Sequence, residues 1–168
     1  LTAMLFTKLK TDATTELKAQ IYDCVITVPS YYTNCERKAL LDASGIAGLN
    51  CLRLLNETTA TALSYGFYRT DLPTAEEKPR NIFFVDFGHS AIQVSACAFS
   101  KGKLKMIAST SDLVGGRDVD EMLASHISDE FMKKYKFDPR TNKKAYLRLL
   151  TEVEKLKKQM SANSTKLP

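Results

Sequence analysis

The sequence predicts an α/β protein. Apolar runs rich in β-branched residues, Tyr22–Val28 (YDCVITV), Leu49–Leu55 and Ile82–Val85, alternate with segments whose apolar residues recur at helical spacing. Between Asn81 and Ala98 an apolar run meets a Gly-containing turn and then strict alternation, the pattern of a hairpin. The resulting order is helix, strand, helix, strand, helix, three strands and two helices, with no internal repeat.

Leu1 to about Leu17 reads as a helix with Met4, Leu5, Leu9, Ala13 and Leu17 as its apolar stripe. The strand Tyr22–Val28 stops at Pro29, which has no N–H for a ladder. Thr33 and Glu36 form a Thr-x-x-Glu capping box. The helix it starts runs to about Ala43, with Ala39, Leu40 and Ala43 inward, and Ser44-Gly45 and Gly48 end it or allow close packing. After the strand Leu49–Leu55, Thr58 or Thr59 is placed to cap a short helix through Ala60, Leu63 and Tyr65 to Gly66. Thr70–Arg80, with two prolines and several charges, is an exposed loop where a lobe boundary fits.

Ile82–Val85 is expected to be a strand buried on both faces, ending in Asp86. Ile92, Val94, Ala96 and Ala98 mark the buried side of its partner. A turn at Ser100–Lys103 leads to a third strand with Leu104, Met106 and Ala108 alternating. Gly115-Gly116 precedes a helix striped by Val119, Leu123, Ile127 and Phe131, with His126 beside that stripe as a structural histidine. A break at Phe137-Asp138-Pro139 leads to a last helix with Leu149, Val153, Leu156 and Met160 inward and Lys155, Lys157 and Lys158 off the stripe.

A chain of 168 residues, 44% hydrophobic and 26% charged, has the composition of a soluble globular domain. No apolar run approaches the ~20 residues of a membrane helix. The four cysteines are widely spaced and no C-x-x-C occurs, which speaks against a zinc site or a disulfide framework and for a reducing, intracellular setting. The net charge of +5 comes mostly from Lys residues interleaved with Glu and Asp, a solvated face and no nucleic-acid surface. Both ends, LTAMLFTKLK and SANSTKLP, read as cut from a longer chain.

Several chemistries drop out. There is no G-x-x-x-x-G-K-[ST] loop, no G-x-G-x-x-G after a strand and no G-x-S-x-G elbow. His89 and His126 are the only histidines, and neither lies in a triad pattern. The turn Phe87–Ser90 remains, with Asp86 before it. Backbone amides at such a tip can cradle an anion, and the carboxylate can hold Mg²⁺ directly or through water. An Asp stabilising an ordinary hairpin turn accounts for the same residues. Glu57 follows one strand and Asp86 another; if those strands share a sheet, both carboxylates lie at its carboxyl edge. Gly115-Gly116 adds a close-approach point at a helix N-terminus. Together these are parts of a phosphoryl-transfer site. Glu57 fits equally well as a helix-start carboxylate favoured by the dipole.

The succession VITVPSYYTNCERKALLDASGIAGLNCLRLLNETTATALSYG, FFVDFGHSAIQVSACAF, VGGRDVDEML and EKLKKQMSAN resembles the nucleotide-binding domain of the heat shock protein 70 superfamily, above all its large cytosolic branch, heat shock protein 110. The resemblance is collinear over essentially the whole chain. It implies an actin-like (ribonuclease-H-like) ATPase fold with ATP in the cleft between two lobes. Residues 1–80 would supply the latter part of the first lobe and residues 81–168 the beginning of the second.

The resemblance also implies roles. Glu57 stands where the family has a water-positioning glutamate, with Thr58 in place of the family's Pro, as in the large branch. Pro29 matches a switch proline and Arg37 an arginine that signals between domains. Asp86 matches the acidic residue of the second phosphate loop, an indirect Mg²⁺ ligand. That loop is D-L-G-G-G-T-F-D in ordinary heat shock protein 70 and D-F-G-H-S-A-I-Q here. Gly88 is kept, His89 and Ser90 replace glycines, Ala91 replaces the threonine and Gln93 the second aspartate. Gly115 and Gly116 match glycines near the nucleotide.

Losing the hydroxyl and one carboxylate removes groups that each contribute a few kcal/mol, or ~10²-fold in rate. The expectation is ATP or ADP binding with weak or dispensable hydrolysis, in a co-chaperone that exchanges nucleotide on heat shock protein 70 and holds unfolded polypeptide through other domains. The alternative is an ATP-hydrolysing chaperone. No counterpart is expected here of the family's first phosphate loop, its phosphate-contacting lysine, its adenine-gripping helix or its last glycine motif. The isolated chain should therefore bind ATP poorly.

Overall fold

The computed structural model describes residues 1–74 and 76–162. Most of the end SANSTKLP, read above as cut, lies outside them. Two compact units are formed: Leu1–Asp86 with Gln93–Ser111, and Phe87–Ile92 with the chain from Asp112 onward.

In the first unit, α1 (Thr2–Leu17), β1 (Asp23–Val28), α2 (Asn34–Ile46), β2 (Asn50–Asn56) and α3 (Glu57–Phe67) follow the order the sequence predicts. β1 and β2 pair in parallel, with Val28 opposite Asn56. A parallel pair needs a crossover, and α2 provides it. The capping box forms: the backbone N–H and the hydroxyl of Thr33 both donate to Glu36 Oε2 at 2.7 Å. α2 runs through Ser44-Gly45 and ends before Gly48, which adopts φ +69°. Its inward residues are Leu40, Ala43 and Ser44, with Ala47 beyond; Ala39 is exposed. On α1 the predicted stripe holds only at Ala13. Met4, Leu5, Leu9 and Leu17 are all more than half exposed, and Ala3, Phe6, Lys10, Ala13 and Thr14 are the sheltered residues. Lys10 snorkels to the Gly48 carbonyl, 2.7 Å from Nζ.

β3 (Arg80–Phe87), β4 (Ile92–Ser100) and β5 (Lys103–Asp112) form a second sheet in that order. Links this short allow only antiparallel hairpins. The core lies between this sheet and α3. Ala62, Cys97 and Phe99 are fully buried, packed by Tyr65, Leu72, Ile82, Phe84, Leu104 and Met106. The rings of Tyr65 and Phe99 meet edge to face at 5.4 Å. Burial pushes the Cys97 thiol pKa up, which suits a small hydrophobe in that core.

Three strand expectations are corrected by this packing. β3 is not buried on both faces: Phe83 and Val85 are 72% and 65% exposed, because α3 covers only the Ile82–Phe84 side. On β4 the buried side is the other one, Gln93, Ser95, Cys97 and Phe99, while Ile92, Val94, Ala96 and Ala98 are half-buried. On β5 Leu104 and Met106 face inward but Ala108 does not.

In the second unit, α4 (Gly116–Tyr135) and α5 (Lys143–Ala162) pack together across a 3₁₀ turn, Pro139–Thr141. The buried line of α4 is Asp120, Ala124 and Ser128, small or polar residues that let α5 approach closely. Val119, Leu123 and Ile127 flank it, half-buried; Phe131 and His126 are exposed, so the expected stripe stops at Ile127 and His126 is not a packed structural histidine. On α5 Leu149, Val153 and Leu156 are inward as expected, but Met160 is exposed and Lys157 turns in. Lys157 Nζ lies 2.6 Å from Asp120 Oδ2 and 3.1 Å from the Gly116 carbonyl, pinning α5 to the first turn of α4. Among the described residues no helix is long and apolar enough to cross a membrane.

Candidate functional site

In the first unit, β2 delivers Glu57 to the start of α3. Neither Thr58 nor Thr59 caps this helix; Asn56 occupies the cap position and Thr58 is buried inside the first turn. The Asn56 side chain does not cap either, because its Oδ1 accepts from Arg37 Nη2 at 2.9 Å. Arg37 also donates from Nε to the Tyr32 carbonyl at 2.9 Å, with the Pro29 and Ser30 carbonyls 3.4 Å from Nη2. The guanidinium thus gathers the turn after β1, where Pro29 sits, and the end of β2.

β2 and β3 lie in different sheets, so the shared sheet edge expected for Glu57 and Asp86 is absent. Glu57 is instead held by a side chain from β4. Gln93 Nε2 donates to Glu57 Oε2 at 2.6 Å, and Gln93 Oε1 accepts from both the backbone N–H and the hydroxyl of Ser30, each at 2.8 Å. Gln93 is 4% exposed. Ser30 is the residue after Pro29, so Pro29, Arg37, Asn56, Glu57 and Gln93 make one continuous polar network. The sequence by itself presents Gln93 only as a lost carboxylate. The signal that could have found it is Phe99: the bulkiest apolar residue of the alternating run shares a face with Gln93, which marks that face as the inner one. Asp86 lies within β3 and is exposed.

In the second unit the two glycine turns come together. Gly116 N–H donates to the Gly88 carbonyl at 2.9 Å and Arg117 N–H to the His89 carbonyl at 3.0 Å. Two N-terminal amides of α4 are therefore already engaged, and what the helix start supplies is a seat for the hairpin tip. Gly115 is required by that seat, since a Cβ there would lie 2.7 Å from Ser90 N and closer still to the His89 carbonyl. The Asp118 carboxylate accepts from Gly115 N–H at 2.7 Å, holding the residue that starts the helix. Within the tip, Gly88 N–H donates to the Ala91 carbonyl at 2.9 Å. The amides of His89 and Ser90 donate to nothing among the described residues. No tip residue has a positive φ, so His and Ser can occupy positions where the related motif has glycine.

The mixed helix-and-sheet fold is that of part of an actin-like ATPase domain. The chain belongs to the Hsp70 protein family, whose profile matches residues 1–168. It is 59% identical to heat shock 70 kDa protein 4 of Rattus norvegicus over 168 residues, 99% of this chain and 20% of that protein. It is 56% identical to the 97 kDa heat shock protein of Strongylocentrotus purpuratus over 164 residues, 97% of this chain and 18% of that one. Heat shock 70 kDa protein 4L of Homo sapiens is 55% identical over 168 residues, 99% of this chain and 20% of that protein. These relatives place it in the large branch, and the chain spans about a fifth of their length.

Proposed function

We propose that this chain is the phosphate-facing part of a nucleotide-binding domain in a chaperone that uses ATP as a conformational ligand. On this reading residues 1–80 belong to one lobe and residues 81–168 to the other. The observation that carries it is the seated hairpin tip. A turn whose His89 and Ser90 amides have no partner among the described residues, held against the Gly115-Gly116 helix start, offers donors that phosphate oxygens accept. Gly88, His89, Ser90 and Ala91 would contact phosphate through backbone, with Gly115 and Gly116 holding the tip in place. Asp86, an exposed carboxylate, would take Mg²⁺ through water, and the ion would neutralise phosphate charge. Pro29 and Arg37 would carry the bound state to other domains.

In this reading the full-length protein acts in the cytoplasm. There it exchanges nucleotide on a heat shock protein 70 partner and holds unfolded polypeptide. Nucleotide shifts the population toward the partner-binding state through its differential affinity. One observation favours the alternative, an ATP-hydrolysing chaperone: Glu57 is firmly held by Gln93, as a water-positioning carboxylate must be.

Calorimetric titration with Mg-ATP tests the reading, on the full-length protein and on Gly115→Ala in the same background. Micromolar binding that the substitution weakens is the expected result; equal binding by both would overturn the role of the tip. Turnover with and without Glu57→Ala, run beside an ADP-release assay on heat shock protein 70, separates the alternatives. Exchange that survives loss of turnover excludes the hydrolysing chaperone.

A further inference from the structure

We propose that Gln93 is the positioning residue for Glu57, fixing its carboxylate against the turn that follows β1. The proposal rests on the water-positioning role given above to Glu57 and deepens it.

An amide side chain can present either its oxygen or its nitrogen in a given direction. Gln93 has no such freedom. Ser30 supplies two donors, N–H and Oγ–H, to the same atom at 2.8 Å, and two donors require an oxygen there. The nitrogen must then face Glu57, whose Oε2 accepts at 2.6 Å. With Gln93 only 4% exposed, solvent cannot replace the partners of its amide, and an amide group left unsatisfied there would be costly. Ser30 therefore sets the amide orientation, and the amide sets the position of one carboxylate oxygen. The other oxygen, Oε1, is left to accept from a water or a reacting group.

The residue type matters. A carboxylate at position 93 could accept from Ser30 equally well but would face Glu57 with a second negative charge, and two carboxylates at that distance cannot both stay ionised. A glutamine gives the same reach with a donor at the far end. An asparagine is one methylene short of spanning Ser30 and Glu57 together. The substitution that the sequence presents as a loss is thus a gain of a neutral clamp.

The arrangement can be swapped, and the swap is the test. In the full-length protein, four forms are compared: native, Gln93→Glu, Glu57→Gln, and both together. Thermal unfolding reads the contact and Mg-ATP turnover reads the position of the carboxylate. Gln93→Glu should lower the unfolding midpoint by several degrees and cut turnover roughly 10- to 100-fold, the scale set by a misplaced catalytic group. Glu57→Gln should leave the midpoint almost unchanged, since the amide introduced at position 57 can turn its oxygen toward Gln93 Nε2, while turnover falls.

The double variant should recover the midpoint, with the carboxylate at position 93 accepting from Ser30 and from the amide at position 57. Its turnover should stay low, because the carboxylate now sits on β4. A purely structural role predicts instead that Gln93→Glu keeps native turnover per folded molecule at temperatures well below its unfolding midpoint. A midpoint in the double variant no better than in Gln93→Glu overturns the contact itself. Native turnover in Gln93→Glu overturns the positioning role while leaving the contact standing. Equal turnover in native and Glu57→Gln shows that the reading of Glu57 has failed. The functional half of the proposal then falls with it, even if the midpoints follow the swap.

Discussion

The Glu57 cluster and the Gly88–Gly116 junction are built by opposite means. The first is a side-chain construction: a guanidinium, two amides, a hydroxyl and a carboxylate, drawn from the turn after β1, α2, β2, α3 and β4, with Gln93 buried at its centre. The second is made of backbone: carbonyls of Gly88 and His89 against amides of Gly116 and Arg117, at an exposed tip. A side-chain cluster depends on which groups are present. A backbone junction depends on which groups are absent, above all a Cβ at position 115. The two should therefore answer mutation in opposite ways.

The largest effect should come from adding a methyl group to the junction. Gly115→Ala has no room beside Ser90 N and the His89 carbonyl, and overpacking of this kind costs about 1–3 kcal/mol. Thermal unfolding should show it, and hydrogen exchange should show the Gly116 and Arg117 amides losing protection. A neutral result would mean that the tip is not seated on α4.

Next comes the cluster. Arg37→Ala strands the Tyr32 carbonyl and the Asn56 amide oxygen and should cost about 1–2 kcal/mol. Arg37→Lys should recover only part, because a single ammonium cannot reproduce the two-armed guanidinium. Full recovery by Lys would show that charge, and no particular geometry, holds the cluster together.

A smaller effect, about 0.5–1 kcal/mol, is expected of His89→Gly. It would arise in the unfolded chain, since no left-handed backbone at the tip calls for glycine. Mg-ATP affinity should change little, because the proposed contacts are amides. A large gain in affinity would show that the His89 side chain obstructs the tip.

The smallest effect tests a local feature outside both clusters. The hydroxyl and backbone N–H of Thr33 hold the Glu36 carboxyl below its ordinary pKa. A lowered folded pKa contributes stability above the unfolded value and loses it as pH falls through the folded one. Glu36→Gln should therefore destabilise α2 slightly at neutral pH, and the difference should vanish as the pH falls through the lowered folded pKa, where the native carboxyl is also protonated. A difference that persists in acid would place the effect elsewhere.

Local rules determined a good deal by themselves. The order of elements, the stop at Pro29, the Thr33–Glu36 box and the Gly88 turn rest on contacts within a few residues, so spacing and residue type suffice to read them. The family, too, was legible from collinear motifs over residues 1–168. Tertiary structure decided which face of each element is inside. β4 carries apolar residues on one face and a mixed set on the other, and α3 docks on the mixed face because Phe99 and Cys97 fill the space beside Ala62. That choice buries Gln93 and carries it to Glu57 and Ser30, 36 and 63 positions away in the chain. On α4 likewise, close approach by α5 selects Ala124 and Ser128 over the larger Phe131. Periodicity says that a face exists; only a packing partner, bringing residues distant in sequence against it, says which face excludes water.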